Sequence, residues 1–532
     1  MKNRLFLTAA FLGITLSLGA QNLYDAQRFS ATNYYGSART IGMGNAVTAV
    51  GGDLGSITFN PAGSSVAGYS QISLTVGASV SSNFSNGSVL TQGATIPDGF
   101  GDSNVTRHTR MQLPSFGAIL NVDTHRSRGL LNYSFGFSGN ASNNFLSEVF
   151  ASGVNSRTTY LGYLATQADG IPSADLNSNN AYDNYPWLPV TAYKAGLIAT
   201  YGGNTDKYAG ATEFVDESGN IELAGDIDQR YGQLVFGNKY DFVFNWSGNV
   251  NNSVYFGFNL GLTSLDYKYD DYIREQALNS ADFPLEFDDG VIRYFDNAKA
   301  RYSYTATGAG VYAQFGLIAR LPAGLRFGAM IQTPTVLAIR EKWSQDMTVT
   351  YLKESSTSAE SPSGKFSYRL RTPWKLSAGL AWTLGEKLLL SADYEMMDYR
   401  SMKYRSAYNY SDDFSGANGD IRQWMGFSHS MRLGAEFKPI PQVAVRAGYN
   451  LITDPEKNDE GRYIYNNRQN FSLGVGYSSN GSFFCDLAVR MLNRNKQFIT
   501  PYGDYIENVP SPEIALTRNH LWDVMFTAGW RF

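Results

Sequence analysis

The sequence predicts an all-β protein, a 14-stranded antiparallel transmembrane β-barrel with an N-terminal hatch inside its lumen. Three observations support this prediction: segments that alternate between apolar and polar residues, short turns that alternate with long polar loops, and a final segment with an apolar residue at every second position. The composition agrees, because 43% hydrophobic and 14% aromatic residues exclude a disordered chain.

The hairpin from residue 431 to residue 450 shows the alternation most clearly. Its apolar positions are Met431, Leu433, Ala435, Phe437, Val443, Val445, Ala447 and Tyr449, and its polar or small positions include Arg432, Gly434, Glu436 and Arg446. A shift of one residue would place three charged side chains in hydrocarbon, which is costly. We therefore expect Val445 to face lipid and Arg446 to face the lumen, where a polar replacement should cost little.

Short turns and long loops alternate along the whole chain. Six short turns lie near 123–129, 248–252, 321–324, 384–387, 439–441 and 478–481. Seven polar stretches lie near 83–107, 139–237, 268–300, 351–365, 405–428, 451–462 and 495–518. Thirteen connections join 14 strands, and an even number returns both ends of the barrel to the periplasm. The apolar segment Val190 to Tyr201 is therefore assigned to the long loop that follows the third strand.

The two ends of the chain indicate export and membrane insertion. Residues 1–20 have the basic start, apolar core and final small residue of a signal peptide. The predicted domains are this signal, a hatch at 21–69 and a barrel at 70–532, located in the bacterial outer membrane. The terminal aromatic Phe532 resembles the signal that barrel-assembly machinery reads.

Other classes of function find little support in the sequence. The net charge of −4 and the lack of a basic stripe argue against a nucleic-acid partner. The four histidines lie far apart, the single Cys485 excludes a thiolate metal cluster, and there is no nucleophile elbow. We therefore expect no enzyme activity, no metal and no cofactor. The acidic pairs Asp270–Asp271 and Asp288–Asp289 are either divalent-cation ligands or solvated loop residues.

The segment from Gly36 to Gly63 carries a motif. It contains Arg39, Gly42, Gly44, Asp53, Phe59, Asn60, Pro61 and Ala62. This motif resembles the N-terminal hatch of the FadL/OmpP1/TodX outer-membrane transporters of hydrophobic compounds. From the residues themselves, Asn60–Pro61 is a turn initiator, and Arg39 and Asp53 are candidates for an ion pair that holds the hatch.

The resemblance implies passive uptake of a hydrophobic small molecule, such as a long-chain fatty acid or an aromatic hydrocarbon. It also implies that the ligand leaves through a kinked third strand, where Gly136 and Gly139 tolerate a bend. The loop aromatics Tyr182, Tyr185, Trp187 and Phe214 are candidates for ligand capture. The expected partners are the ligand, outer-membrane lipid and the assembly machinery, and we expect a monomer.

A second class of function stays open at this point. Long loops suit protein contacts as well as ligand capture. An interaction barrel of a secretion system, similar to the type IX shuttle, is therefore an alternative, as is a receptor for another hydrophobic ligand such as haem.

Overall fold

The computed structural model describes residues 22–88, 99–216, 221–287, 290–408, 412–458, 461–463, 466–479, 482–494 and 497–532. The predicted signal peptide and the pair Asp288–Asp289 lie outside the described residues.

Fourteen long strands form one closed antiparallel barrel, in which each strand pairs with its chain neighbours and the last strand pairs with the first. The strands are β1 (Gln71–Ser88), β2 (Asn104–Asp123), β3 (Leu130–Asn144 and Ser147–Asn155), β4 (Ile227–Val250), β5 (Val254–Ala277), β6 (Ile292–Arg320), β7 (Leu325–Gln332 and Val336–Tyr351), β8 (Gly364–Arg371 and Lys375–Leu384), β9 (Leu388–Asp398 and Lys403–Ser406), β10 (Phe427–Ile440), β11 (Val443–Ile452), β12 (Arg468–Ser478), β13 (Phe483–Arg494) and β14 (Glu513–Arg531). The predicted strand number is confirmed.

Five of the six short turns lie where the sequence predicts them, and the seven longer connections alternate with the turns. The sixth predicted turn, at 478–481, includes residues 480 and 481, which lie outside the described residues. The strands nevertheless extend further than predicted. In β5, for example, residues beyond Leu262 keep the ladder with β4 and β6, although their outward side chains are polar, such as Lys268 and Asp270. Backbone pairing continues above the lipid level, where the outward face no longer needs to be apolar.

The outer surface carries a belt of exposed apolar side chains. Val445 is 47% exposed, whereas the neighbouring Arg446 is 6% exposed and faces the lumen. The same alternation holds at Ile72, Leu74, Phe244, Leu260, Phe315, Leu380, Leu433, Leu473 and Phe526. Pairing between neighbouring strands satisfies most backbone hydrogen bonds within the wall, and the apolar belt matches hydrocarbon. The protein is therefore a barrel of the bacterial outer membrane.

Helices lie only outside the barrel wall among the described residues. They are α1 (Leu23–Ser30), α2 (Ala38–Gly42), α3 (Tyr160–Ala168), α4 (Ser173–Leu176), α5 (Ala181–Asn184), α6 (Trp187–Ala195) and α7 (Ser415–Trp424). Single 3-10 turns occupy Leu54–Thr58, Pro61–Ser65, Ser280–Asp282, Pro322–Gly324 and Tyr399–Ser401. Among these described helices, none has the length and apolar character needed to cross a membrane.

Helices α3 to α6 belong to the connection between β3 and β4. They pack on one another and on the upper part of β7 to form an extracellular cap. The segment Val190 to Tyr201 contributes most of α6 and a short strand, Ile198–Thr200, which pairs with Tyr208–Gly210. Its assignment to the loop rather than the wall is confirmed. Further short strands in the loops are Glu213–Val215, Ile221–Leu223, Pro284–Glu286, Thr357–Glu360 and Gln497–Ile499.

Candidate functional site

The N-terminal segment runs through the lumen from one end of the barrel to the other. Tyr24 in α1 donates a hydrogen bond to Glu456 (3.0 Å), in the extracellular connection between β11 and β12. At the periplasmic end, Ser70 exchanges backbone hydrogen bonds with Phe532. The segment therefore fills the lumen as a hatch, as the sequence predicts, while its bounds at 21–69 stay a prediction.

Inward-facing glycines form a belt on the barrel wall that lies directly against the hatch. At Gly448 a Cβ atom would overlap the backbone of Met43 and Gly44, and at Gly328 it would overlap the carbonyl of Thr48. The belt continues around the barrel at Gly257, Gly316, Gly379, Gly434 and Gly474, each against a hatch residue. Only glycine lets two backbones approach so closely, so these positions fix where the hatch sits.

The motif residues of the hatch make its contacts with the wall. Asn60 donates from Nδ2 to the carbonyls of Thr48 (2.8 Å) and Leu317 (3.0 Å), and its Oδ1 accepts from the amide of Ala62 (3.1 Å). The predicted turn is therefore also an anchor to β6. Gly44 has a φ of +62° and lies against Tyr449 of β11, so a side chain is excluded for two reasons.

The remaining motif residues are buried. Phe59 stacks edge-on against Tyr34, with 5.1 Å between ring centroids. Asp53 caps the turn Leu54–Thr58 and accepts a hydrogen bond from Ser37 (2.6 Å). Gly42 packs directly against Gly474, and Ala62 packs against the wall. The carbonyl of Pro61 accepts a hydrogen bond from Asn245 (2.9 Å).

Charged side chains hold the hatch from one side. Arg39 binds Glu436 (3.1 Å), and Glu436 also binds Arg446 (2.7 Å), which in turn binds Asp486 (2.5 Å). The expected pair between Arg39 and Asp53 is wrong, because Asp53 instead caps its own turn and Arg39 reaches the wall. The charge on the hatch is thus matched by an acid of the barrel.

Further buried ion pairs lie on the same wall. Arg432 binds Glu395 (2.9 Å) and Arg490 binds Asp523 (2.8 Å), with all four side chains nearly inaccessible. Arg490 also donates to the carbonyl of Tyr34 in the hatch (2.9 Å). Both pairs join residues of the wall, and the hydrogen bond from Arg490 to Tyr34 connects one of them to the hatch.

Helix α1 occupies an aromatic chamber in the upper lumen. Phe29 of α1 is fully buried, and the chamber wall is formed by Tyr267, Tyr269, Tyr304, Tyr368, Tyr404, Leu337, Ile339 and Met397. The C-terminal end of α1 is held by Lys239, which donates to the carbonyls of Phe29 (3.0 Å) and Ala31 (2.8 Å). A cation at this end also complements the helix dipole.

The lumen around the middle of the hatch leaves little free volume. Two cavities beside Tyr34, one next to Arg432 and one next to Lys375, measure about 20 Å³ each. Such cavities hold a water molecule but no larger ligand. Passage straight down this part of the barrel would require the hatch to move.

The barrel wall is incomplete between β2 and β3. The two strands pair from Asp123↔Asn132 up to Ser115↔Asn140, and among the described residues no ladder joins them above that point. The second half of β3 pairs with β4 alone and passes along the inner face of β1, where Asn83 and Ser85 donate to its carbonyls. A lateral gap therefore separates the upper parts of β2 and β3.

Side chains span this gap. Arg110 of β2 donates to the carbonyl of Gly237 in β4 (3.3 Å), and Tyr240 of β4 donates to the carbonyl of Leu113 (2.9 Å). His108 of β2 contacts Glu148 of β3 (2.9 Å). On the outer face beside the gap, Met111 is 73% exposed, so the gap opens towards the apolar belt.

β3 is interrupted at Phe145 and Leu146, six residues after Gly139, and its ladder with β2 already ends at Asn140. Gly136 and Gly139 both lie inside the regular ladder with β2 and β4. Gly136 faces the lumen against Ile57 of the hatch, and Gly139 faces outward beneath the ring of Phe116. Both glycines allow close approach, and Gly139 is the next-to-last residue of β3 that pairs with β2, so their role in a lateral opening stays a prediction.

Apolar side chains lie behind the gap. The ring of Phe145 packs against Tyr267 (5.1 Å between centroids), which also contacts Phe29 of α1 (5.6 Å). Leu146 packs against Leu492 and Leu521 on the opposite side. The break in β3 is thus joined to the N-terminal helix by a direct chain of three rings.

The predicted capture aromatics do not form one site. Tyr182, Tyr185 and Trp187 pack within the cap, where Trp187 lies 6.0 Å from Trp343 of β7. Phe214 is 59% exposed on a separate loop strand. The role of these four residues in ligand capture stays a prediction.

The acidic pair Asp270–Asp271 does not form a cation site. Asp270 lies on the outer face and binds Arg301 (3.1 Å), whereas Asp271 is buried in the lumen and accepts a hydrogen bond from Tyr269 (2.6 Å). Adjacent residues of a strand point to opposite faces. In the described part of the chain, no group of three metal-ligating side chains is close enough to hold an ion.

Sequence reasoning missed the partners of the hatch on the wall. Lys239, Glu395, Arg490 and Asp523 are charged residues at inward positions of strands. Their period-two placement in the strands signals that they face the lumen. Which hatch atoms they contact depends on the path of a segment that has no strand periodicity of its own.

No protein-family model and no curated protein sequence matches this chain. Among solved structures, a FadL homologue from Pseudomonas aeruginosa is 12% identical, with a TM-score of 0.47 over 94% of this chain and 99% of that chain. The toluene transporter TodX from P. putida is 12% identical, with a TM-score of 0.49 over the same shares.

The toluene transporter TbuX from Ralstonia pickettii is also 12% identical, with a TM-score of 0.41 over 93% of this chain and 98% of that chain.

Proposed function

We propose that this barrel takes up hydrophobic small molecules passively and releases them sideways into the outer membrane through the gap between β2 and β3. The observation that carries the proposal is the interrupted wall, which ends at Ser115↔Asn140 beside the exposed Met111. The free energy of a hydrophobic molecule falls when it leaves water for lipid, whereas that of a polar solute does not.

The closed lumen favours the sideways route. Around Tyr34 the hatch leaves cavities of about 20 Å³. The ion pair of Arg39 with Glu436 and the hydrogen bond of Arg490 to the carbonyl of Tyr34 hold the hatch to the wall. The gap, in contrast, is spanned by side chains such as Arg110 and Tyr240 without a backbone ladder. Rotation of a few side chains requires less rearrangement than the removal of the hatch.

The contact between Phe29, Tyr267 and Phe145 suggests how ligand entry and release are linked. A ligand that enters the aromatic chamber displaces Phe29 of α1 from Tyr267. Tyr267 then releases Phe145, which is the residue at the break in β3. The chamber offers ring faces together with tyrosine hydroxyls, a combination that suits a long-chain fatty acid or an aromatic hydrocarbon.

A reversible bridge across the gap tests the route. His108 and Glu148 are replaced by cysteine in a Cys485→Ala background and joined with a cleavable bis-methanethiosulfonate linker. We expect uptake of radiolabelled oleate or toluene by whole cells to fall to the level of cells without the protein, and a reductant to restore it. The matched control joins Ser264→Cys to Ala309→Cys, which are ladder partners on the outer face of the intact β5–β6 wall.

Normal uptake by the bridged His108/Glu148 variant would refute the lateral route. Loss of uptake in the β5–β6 control as well would show that the linker acts without regard to the gap. Absence of uptake of either probe, combined with stoichiometric copurification of an exported protein, would favour the secretion-type interaction barrel instead. Contact with the barrel-assembly machinery and the monomeric state stay predictions.

A further inference from the structure

One side of the outer surface carries a concentrated positive charge. Its residues are the outward-facing Arg340 and Lys342 of β7, Lys365, Arg369 and Arg371 of β8, and Lys403 and Arg405 of β9. These seven residues are called the basic patch below. Their inward-facing neighbours, such as Ile339, Tyr368 and Tyr404, are buried in the lumen, which fixes the outward direction of the patch.

The basic patch contains three like-charged pairs that lie directly opposite each other in the ladder. Lys342 faces Lys365. Arg369 faces Arg405, and Arg371 faces Lys403. Like charges at directly opposed positions of a sheet destabilise it, so the fold alone gives no reason for this arrangement. A local cost of this kind points to a binding function.

The basic patch lacks matching acids. None of its seven residues forms an ion pair with any residue that the structure describes. On the outer face of β4 to β6, Arg230 binds Asp228 (2.8 Å) and Arg301 binds Asp270 (3.1 Å), although Arg274 there also lies opposite Arg230 and Lys299. Two of the cations on that side are therefore neutralised by neighbouring acids, whereas none of the seven cations of the basic patch is paired with a described acid.

The height of the basic patch matches the boundary between hydrocarbon and head groups. On β8, Trp382 lies at the periplasmic turn, where its indole donates to the carbonyl of Ala323 (3.1 Å). Arg371 lies eleven residues away towards the extracellular end of β8, at the end of its other segment and beyond the interruption at 372–374. At about 3.3 Å per residue and a strand tilt of about 40°, this corresponds to roughly 28 Å along the membrane normal, slightly more than the apolar band of an outer-membrane barrel.

The upper part of the basic patch borders an open groove of about 390 Å³. Arg340, Lys342 and Lys365 line it. One acid, Asp412, also lines the groove and accepts a hydrogen bond from Ser406 (2.6 Å). The groove provides room for a head group larger than a single phosphate.

We propose that the basic patch binds the phosphate groups of lipopolysaccharide in the outer leaflet. Phosphate is the anion that arginine recognises with two parallel hydrogen bonds, and several phosphates on one glycolipid match several cations on one surface. The position just above the apolar belt is the level at which such head groups meet the barrel. Bound phosphates would also relieve the repulsion between the three opposed cation pairs.

A double substitution of one opposed pair tests the proposal. The full-length barrel in detergent micelles is titrated with purified lipopolysaccharide. We expect Arg369→Gln/Arg405→Gln to bind roughly 30-fold more weakly than the wild type, which corresponds to about 2 kcal/mol for two basic side chains. The control Lys268→Gln/Lys299→Gln removes the same charge from the outer face of β5 and β6 and should bind as the wild type does.

A second measurement separates binding from folding. In vesicles of zwitterionic lipid, the Arg369/Arg405 variant should unfold at the same denaturant concentration as the wild type or at a higher one, because an opposed like-charge pair is removed. Dephosphorylated lipopolysaccharide should bind the wild type as weakly as the variant.

Three results would overturn the assignment. The first is an unchanged affinity of the Arg369/Arg405 variant for lipopolysaccharide. The second is an equal loss in the Lys268/Lys299 control. The third is an equal loss of binding to phosphatidylglycerol, which would replace the glycolipid by any anionic lipid.

Discussion

Single residues show how sharply the barrel wall divides its two faces. Val445 is exposed on the outside, while the next residue, Arg446, is buried between Glu436 and Asp486. The sequence correctly predicts which of them faces the lumen. The expectation that a polar change at position 446 costs little is wrong, because the lumen is filled by the hatch and Arg446 forms two buried ion pairs there.

The outward position of Val445 leads to a first prediction. Val445→Arg should lower the free energy of unfolding by roughly 2 to 4 kcal/mol near the bilayer midplane, since it places a charge in hydrocarbon. Denaturant unfolding in lipid vesicles, followed by heat-modifiable gel migration, measures this loss. Val445→Leu is the control and should leave stability nearly unchanged; a similar loss in both variants would contradict the lipid-facing assignment.

The inward position of Arg446 leads to a second prediction. Arg446→Gln should destabilise the barrel by about 3 kcal/mol, because removal of one partner leaves buried Glu436 and Asp486 with less compensation. A double-mutant cycle with Glu436→Gln checks the cause. The double variant should lose less than the sum of the two single losses, and strict additivity would show that the pair does not interact.

At the scale of elements, the cap depends on a buried acid. Glu213 in the short strand Glu213–Val215 is 7% exposed and accepts a hydrogen bond from the amide of Gly210 (2.8 Å). It lies directly beneath Gly162 of α3, where a Cβ atom would overlap its carboxylate. Burial raises the pKa of Glu213 from 4.5 to about 7.

This raised pKa gives the third prediction. The folded cap binds the proton of Glu213 more tightly than the unfolded chain does, so its contribution to stability is complete below about pH 4.5 and is lost as the pH rises through about 7. Hydrogen exchange of Tyr208–Val215, corrected for intrinsic rates, should therefore show weaker protection at pH 8 than at pH 5.

Two variants test the origin of that pH dependence. Glu213→Gln cannot ionise, and it should keep the same protection at both pH values. Glu222→Gln changes an exposed glutamate opposite Phe214 in the neighbouring short strand and should behave as the wild type. A pH dependence that persists in Glu213→Gln would assign the effect to another group.

Barrel strands also differ in how well the sequence predicts them. Period-two apolar positions locate every strand within the lipid, because the bilayer demands an apolar outer face. The break of β3 at Phe145 and Leu146 has no such pattern, since both side chains turn inward onto Tyr267, Leu492 and Leu521. β3 stops pairing with β2 after Asn140, and its interruption five residues later lies where apolar side chains in the lumen surround Phe145 and Leu146.

At the scale of the whole molecule, the hatch fits inside the barrel because glycines, which have no side chain, line the wall where the two meet. The glycine belt brings the wall of the barrel within backbone contact of the hatch at positions such as Gly328 and Gly448. The glycines Gly434 and Gly448 face each other across β10 and β11, and the hatch residues Met43 and Gly44 lie against both strands. Any added volume on this surface competes directly with the hatch.

This fit gives the fourth prediction. Gly448→Val should displace the hatch while the wall still forms, because a valine side chain would occupy the space of the Met43–Gly44 backbone. Planar-bilayer recordings should then show ion conductance above that of the wild type. Ala447→Val places the same side chain on the lipid side of the same strand and should leave conductance unchanged. Equal conductance in both variants would show that Gly448 does not hold the hatch.

The sequence by itself determined the 14 strands, their direction, the six short turns and the lumenal or lipid-facing side of residues such as Val445 and Arg446. It did so because two solvents, hydrocarbon and water, impose a period of two on every strand, and this pattern needs no knowledge of distant contacts.

Only the tertiary structure decided where the hatch docks, which acid binds Arg39 and where the wall opens. Arg39 binds Glu436 and not Asp53, although Asp53 is much closer to it in sequence. The folded lumen places the carboxylate of Glu436 3.1 Å from Arg39. The lateral gap likewise depends on the upper part of β3. This part does not pair with β2, and it contacts Tyr267 and β1 instead. Contacts between segments without a shared period leave no local signature, so their geometry emerges only when the barrel closes.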